Sequence, residues 1–300
     1  MKIAIIILNY NGKQDTLECL ESLQKINTKK AKVETIVVDV ASKDDSAKVI
    51  KQQFPSVTLL EAKTNIGFTG GNNLGMHQAI KNNVDFIMLL NNDTTVKSDF
   101  LNPLLKRLKT PKIGAVSPKI YFSKGREFHT QSYHKNELGK VFWYAGGHLD
   151  WKNMYGRHLG VNEFDHGQFD QAGETDFATG CCIILPTKII KKVGLLDNKY
   201  FLYFEDVDWS LRIKKAGYSI WYEPKSIIWH KNAGATQGSG SPLHQYFQTR
   251  NRMLFGLKYA PLKTKLALIK ESVKTLFSKS SPRRKAIVHY YIRRLGKGYL

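Results

Sequence analysis

Four short apolar runs, IAIIIL (3–8), VETIVVDV (33–40), VTLLEA (57–62) and DFIMLL (85–90), begin 24 to 30 residues apart. They are rich in Ile and Val and nearly uninterrupted, so a strand made from any of them needs apolar cover on both faces. Between them, KQDTLECLESLQKI (13–26), DDSAKVIKQQF (44–54) and GNNLGMHQAIKNN (71–83) carry helical spacing. This alternation predicts an α/β chain with a mostly parallel central sheet and helices on both faces. Three hundred residues that are 42% apolar are ample for such a core and exclude a globally disordered chain.

The opening MKIAIIILNYNG holds one lysine and an apolar run that stops at Asn9. That is too short for a secretory leader, and it reads as the first buried strand. No stretch has the length of a membrane span. Cys19, Cys181 and Cys182 sit in apolar surroundings without CxxC spacing, which points to buried thiols in a reducing compartment rather than to zinc or disulfides. The chain therefore reads as cytoplasmic.

The apolar runs end in polar residues: Asn9-Tyr10-Asn11, Asp39 and Asn91-Asn92-Asp93. Ligands of open parallel sheets bind beyond the carboxyl ends of the strands, so three strand ends are expected to share one crevice. NIGFTGGNNLGM (65–76) reads either as a turn with a helix cap or, loosely, as a phosphate loop, since it lacks both GxGxxG and GxxxxGK[ST]. Asn91-Asn92-Asp93 is an Asx turn or a hard-cation site bridging a diphosphate. Asp39 either caps the next helix or accepts hydrogen bonds from a nucleobase or ribose. His230, the last residue of SIIWH, is structural or joins Asp93 in a mixed His/carboxylate site.

Residues 122–175 have weak periodicity and are rich in Gly, His and aromatics, so they read as irregular substrate-side structure. ETDFATGCCIILP (174–186) reads as a return to a buried strand, TKIIKKVG as a helix opened by Pro186, and YSIWYEP as a strand closed by Pro224. Between these lies FLYFEDVDWSLR (201–212), where Glu205, Asp206 and Asp208 crowd together. Glu205 or Asp206 faces the positive end of a helix, and Asp208 pairs with Arg212 one turn on. One carboxylate is left to serve as a general base. The flanking FLYF and Trp209 are aromatic walls of the kind a sugar ring or acyl chain needs.

From Ser241 to Leu300 fourteen Lys and Arg stand against one acid, Glu271, so this stretch carries +13 of the formal net charge of +21. Leu262, Leu266, Ile269, Val273 and Leu276 recur at helical spacing among lysines. After SKSSPRRK, a second stripe runs through Val288, Tyr291, Ile292 and Leu295. Two basic amphipathic helices fit an anionic membrane surface; stripes packed on the main domain fit equally. A nucleic-acid partner would interleave basic residues with stacking aromatics on a known module, and none is present. The expected division is a domain at 1–240 and a basic helical extension at 241–300.

In order and spacing, ILNYNG (7–12), VVDVASKDDS (37–46), NIGFTGGNNLGM (65–76), LLNNDT (89–94), FATGCCIILP (177–186), VGLLDNKYFLYFEDVDWSLRIKKAGY (193–218) and WHKNAGAT (229–236) resemble the family 2 glycosyltransferases of the GT-A fold, in particular their rhamnosyltransferase-like branch. The resemblance spans about residues 3–255. It implies a nucleotide-diphospho-sugar transferase fold in which Tyr10, Asn11, Asp39, Gly71, Asn72 and Asn92 bind the nucleotide-sugar and Arg250 approaches its diphosphate. By the same resemblance Asp93 and His230 hold Mg2+ or Mn2+, Asp206 with Glu205 is the catalytic base, and Thr179, Gly180, Asp208 and Trp209 line the sugar or acceptor pocket. Val40 stands where the family usually has Asn, Asn91 replaces the first Asp of the metal motif, and the Gln-x-x-Arg-Trp motif of processive enzymes is missing. The implied activity is inverting, non-processive transfer to a glycan or polyprenyl-linked hydroxyl, at the inner face of the membrane. A catalytically degenerate nucleotide-sugar-binding protein is the alternative.

Overall fold

The computed structural model describes residues 1–28, 31–232 and 240–298. The AGATQGS run (233–239), part of the last matched stretch and of the glycine-rich segment after His230, lies outside the described residues. The first half alternates as expected: β1 (Lys2–Asn9), α1 (Lys13–Gln24), β2 (Lys32–Asp39), α2 (Ser46–Gln53), β3 (Thr58–Glu61), α3 (Gly67–Lys81) and β4 (Phe86–Asn91). The four strands lie side by side in the order β3-β2-β1-β4, all parallel. β1 shows why its run is apolar throughout. Alternate side chains of a strand point to opposite faces, so Ile3, Ile5 and Ile7 meet Cys19, Leu20 and Leu23 of α1, while Ala4 and Ile6 meet Met76 and Ala79 of α3.

The second half adds β5 (Thr94–Val96), α4 (Leu101–Arg107), β6 (Ile113–Phe122), β7 (Phe142–Tyr144), β8 (Gly147–Asp150), β9 (Tyr155–His158), β10 (Gly173–Glu174), β11 (Cys182–Pro186), α5 (Thr187–Val193), α6 (Glu205–Lys215) and β12 (Ser219–His230). The full order is β10-β12-β6-β11-β4-β1-β2-β3. β11 runs antiparallel between β4 and β6, which sets its first residues beside the last of β4, Cys182 opposite Leu90. β12 is parallel to β6, so His230 reaches the same edge of the sheet as Asn9, Asp39 and Asn91. The stretch expected to be irregular holds four short strands, of which β8 and β9 form a separate hairpin.

Two local expectations are corrected. Pro224 does not end a strand: β12 continues through it because the register to β6 shifts between Glu223 and Ile227, a bulge where no ladder N–H is required. The glycines of 65–76 are not a loop, because α3 begins at Gly67 and runs through them. A Cβ on Gly71 would lie 2.1 Å from Leu8 Cδ1 and one on Gly75 2.5 Å from Ile6 Cγ2, so these glycines let α3 lie close on the sheet.

The chain closes with α7 (Pro242–Tyr259), α8 (Leu262–Leu276) and α9 (Pro282–Tyr291). Met253, Phe255, Leu268, Ile287 and Tyr290 from these helices join Tyr200 and Phe204 in one apolar cluster. Among the described residues no helix is long and apolar enough to cross a membrane.

Candidate active site

At the carboxyl edge of the sheet a cavity of about 600 Å³ opens between the ends of β1 and β4, the start of β11, the loop into α6 and the end of β12. One wall is built by the antiparallel pairing of β5 with β12, which places Thr94 opposite His230. The Lys231 N–H donates to the Asp93 carbonyl at 2.8 Å, and the buried Asp93 and His230 side chains face each other with Oδ1 3.0 Å from Nε2. The Trp143 ring meets the imidazole in a T-shaped contact, 4.4 Å between centroids.

This pair suits a hard divalent ion. Two neighbouring ligands of an octahedral ion with bonds of ~2.1 Å stand ~3 Å apart. Among the described residues no cluster of three or more His, Cys, Asp or Glu is placed to hold a metal. An ion here would thus rest on two protein groups and take its other positions from water and phosphate, as small hard cations do.

The opposite wall is the first turn of α6. Asp206 Oδ2 accepts from the Gly180 N–H at 2.9 Å and Oδ1 from the Val207 N–H at 2.8 Å. Burial raises its pKa, and these two donors work against the rise. Glu205 beside it is buried, and its Oε2 has no hydrogen-bond partner among the described residues. Burial pushes its carboxyl well above the usual range, and the charge on Asp206 adds to the effect. Burial thus disfavours charge on both carboxyls, most strongly on Glu205, while the two N–H dipoles favour the charged form of Asp206 and orient it.

The loop that leads into this turn is unusual. Phe201, Tyr203 and Phe204 have φ of 65°, 68° and 71°, a left-handed basin that side chains disfavour. Its carbonyl groups are held from α7. Asn251 Nδ2 donates to Tyr200 O, Leu202 O and Tyr203 O at 2.7 to 2.9 Å. Arg250 donates to Tyr200 O at 2.8 Å, Lys199 O at 3.1 Å and Gly296 O at 2.6 Å. The Thr69 N–H takes Phe201 O at 3.2 Å. With each carbonyl partnered, the strained conformation is fixed by its surroundings.

Aromatic side chains supply the remaining surface: Tyr10, Phe68, Trp143, Phe177, Phe201 and Tyr203. His158 also lines the cavity. Its Nδ1 lies 3.0 Å from Trp143 O, and burial pushes its pKa down to about 4, so the ring stays neutral. Cys181 reaches the wall, but burial raises its thiol pKa, which argues against a thiolate nucleophile.

A family model described as "Glycosyltransferase like family 2" matches residues 1–256. The chain belongs to this family. Among curated relatives of this family 2 chain, the low-salt glycan biosynthesis hexosyltransferase Agl10 of Haloferax volcanii is 20% identical over 73% of this chain and 63% of its own length. The N-acetylglucosaminyl-diphospho-decaprenol L-rhamnosyltransferase of Mycobacterium tuberculosis is 22% identical over 68% of each chain. The chain thus spans just under two thirds of the first of these relatives. Among solved structures, GalNAc-T7 with UDP, GalNAc and Mn2+ aligns with a TM-score of 0.68 at 15% identity, over 97% of this chain and 54% of that one. The mannosyltransferase PcManGT of Pyrobaculum calidifontis, with GDP-Man and Mn2+, aligns with a TM-score of 0.57 at 15% identity, over 99% and 76%. The fold is GT-A.

Of the residues singled out in the sequence of this family 2 chain, Tyr10, Asn92, Asp93, Thr179, Gly180, Glu205, Asp206 and His230 line the one cavity. Asn11, which is exposed, and the buried Asp39 are not among its lining residues. Asp39 accepts from Asn9 Nδ2 at 2.6 Å and the Ser42 N–H at 2.8 Å, and Asn11 Oδ1 accepts from the Lys43 N–H at 2.6 Å. Gly71 packs on Leu8 and Val40, and the buried Asn72 donates to Phe68 O at 2.9 Å.

Three expectations are corrected. Arg250 is 0% exposed and spends its donors on backbone carbonyls and on Asn251 Oδ1, so it supports the 199–204 loop instead of facing a diphosphate. Trp209 is buried and donates to Gly194 O at 2.8 Å, away from the cavity. Asp208 is locked by Arg212 Nε at 2.8 Å, Lys258 Nζ at 2.7 Å and Tyr259 OH at 2.8 Å. Burial alone would raise Asp208, but Lys258 and Arg212 hold it below the usual carboxylate range. The sequence reading missed Asn251, Trp143, His158 and Phe177. Only Asn251 carried a local signal, as a polar residue beside Arg250 in an otherwise amphipathic helix.

Proposed function

We propose that the chain is an inverting glycosyltransferase that moves a sugar, rhamnose or another hexose, from a nucleoside-diphosphate donor to a hydroxyl of a lipid-linked or cell-surface glycan. The observation that carries this reading is the shared cavity. Asp206 faces it from one wall and the Asp93–His230 pair from another, though Asp93 lies over a hundred residues from the other two. In the proposed reaction the acceptor oxygen attacks the anomeric carbon from the face opposite the diphosphate. Asp206 takes the hydroxyl proton as the new C–O bond forms, and the electron pair of the old bond leaves with the diphosphate. Asp93 and His230 would hold Mg2+ or Mn2+, which when bound supplies positive charge for the departing diphosphate. Burial of Glu205 disfavours a second negative charge beside the base, and Trp143, Phe177 and Tyr203 offer apolar faces to sugar rings.

The relatives support the reading: one is named for a diphospho-decaprenol acceptor, and two solved neighbours hold nucleotides or nucleotide-sugars with Mn2+. We place the working enzyme at the inner face of the cell membrane, where a polyprenyl-linked acceptor is presented. The test is Asp206→Asn. It is expected to keep donor binding, read as a thermal shift with nucleotide-sugar and Mn2+, while transfer of labelled sugar falls by at least ~10². Full transfer by that variant would remove Asp206 from the mechanism.

A further inference from the structure

The outward face of α8 is a second feature that glycosyl transfer does not explain. Leu262, Leu266, Ile269, Val273 and Phe277 fall within an arc of about 80° on a helical projection. All five are exposed, Leu262 at 73% and Phe277 at 87%. The face that packs on the protein is a different one, carried by Leu268, which fills the space beside Gly256, and by Ser272, which bonds the Tyr291 hydroxyl. Of the stripe expected from the sequence, only Leu276 turns inward. Lys263, Lys270 and Lys274 border the apolar arc and are exposed, and Val288 and Ile292 of the neighbouring α9 region are exposed too.

We propose that this face docks on an anionic lipid bilayer, with Phe277 and Leu266 entering the acyl boundary and the bordering lysines meeting the headgroups. Charge decides the occupant. A second copy of the chain would bring the same basic border against itself, because a two-fold contact pairs like with like. A nucleic acid would satisfy the lysines and leave the apolar arc in water. A bilayer with acidic headgroups satisfies both. The inference stands apart from the donor chemistry: its residues lie outside the cavity, and its failure would leave the Asp206 experiment untouched.

The test uses the full chain with vesicles of phosphatidylcholine, with and without phosphatidylglycerol, in a flotation assay at physiological salt. The wild type is expected to float with the acidic vesicles and to stay behind with the neutral ones. Leu266→Glu with Phe277→Glu is expected to lose flotation. Lys270→Gln with Lys274→Gln is expected to weaken partitioning by roughly fivefold per lysine removed. All four sites are exposed, so melting temperature and nucleotide-sugar binding should match the wild type. Equal flotation by the Glu variant would overturn the proposal. So would a concentration-dependent dimer that the Glu substitutions abolish while vesicles are ignored, or binding to an RNA or DNA oligomer that is unaffected by those substitutions.

Discussion

Replacing Asn251 by Leu tests how the loop before Asp206 is held. The amide puts two hydrogens among three carbonyl oxygens, those of Tyr200, Leu202 and Tyr203. Leu keeps similar bulk and removes both donors. Tyr200 O retains Arg250 and the Leu202 N–H, so the loss falls mainly on the other two acceptors and on the buried Arg250 Nε, which donates to Asn251 Oδ1 at 3.0 Å. Three hydrogen bonds withdrawn at ~1–3 kcal/mol each give about 3–9 kcal/mol. For 300 residues the unfolding entropy is about 0.6 kcal/mol/K, so the melting temperature should fall by about 5–14 °C. Transfer should fall further. Phe201, Tyr203 and Phe204 would each gain on the order of 1 kcal/mol by leaving the left-handed basin, and a shift of ~1 Å in the base costs ~10²-fold in rate. Differential scanning fluorimetry and initial rates at saturating donor read the two effects. An unchanged melting temperature together with an unchanged rate would refute the reasoning.

Two other outcomes are expected. Glu205→Gln should be more stable than the wild type at neutral pH. A carboxyl whose folded pKa is raised binds more protons when folded, so wild-type stability falls as pH climbs above the unfolded value of about 4.3. Urea midpoints across that window should show the gap opening with pH and closing below about pH 4; a pH-independent gap would contradict the burial argument. Asp93→Asn and His230→Gln should each remove the Mn2+-dependent part of the thermal shift given by the nucleotide-sugar and leave any metal-free part in place. A metal-dependent shift of wild-type size in both variants would dissociate the pair from the ion.

The first half of the fold was legible because its information is local. In IAIIIL every residue is apolar, and in the structure the run is covered by α1 on one face and α3 on the other. Asp93 and His230 were legible only through the order of motifs, since nothing near either residue reveals a neighbour well over a hundred positions away. Arg250 shows the limit most clearly. A lone arginine on a helix carries no mark of whether it meets a phosphate or a backbone, and here the αL loop at 201–204 claims it. Gly71 reads two ways for a related reason: close approach of helix to sheet and close approach to a phosphate select the same residue. Residues 142–158 gave no periodic signal because their strands are only three or four residues long, shorter than the window in which alternation is visible.

The guanidinium of Arg250 also spans two distant stretches of chain, with Gly296 O on one side and Tyr200 O on the other. Tyr246 hydroxyl and His289 Nδ1, 2.6 Å apart, tie α7 to α9 as well. Cutting the gene short after the matched family segment would therefore remove more than a surface attachment. The shortened product would expose Arg250 to a missing acceptor and slacken the pedestal under the proposed base, so a trimmed enzyme that turns over slowly would say little about membranes.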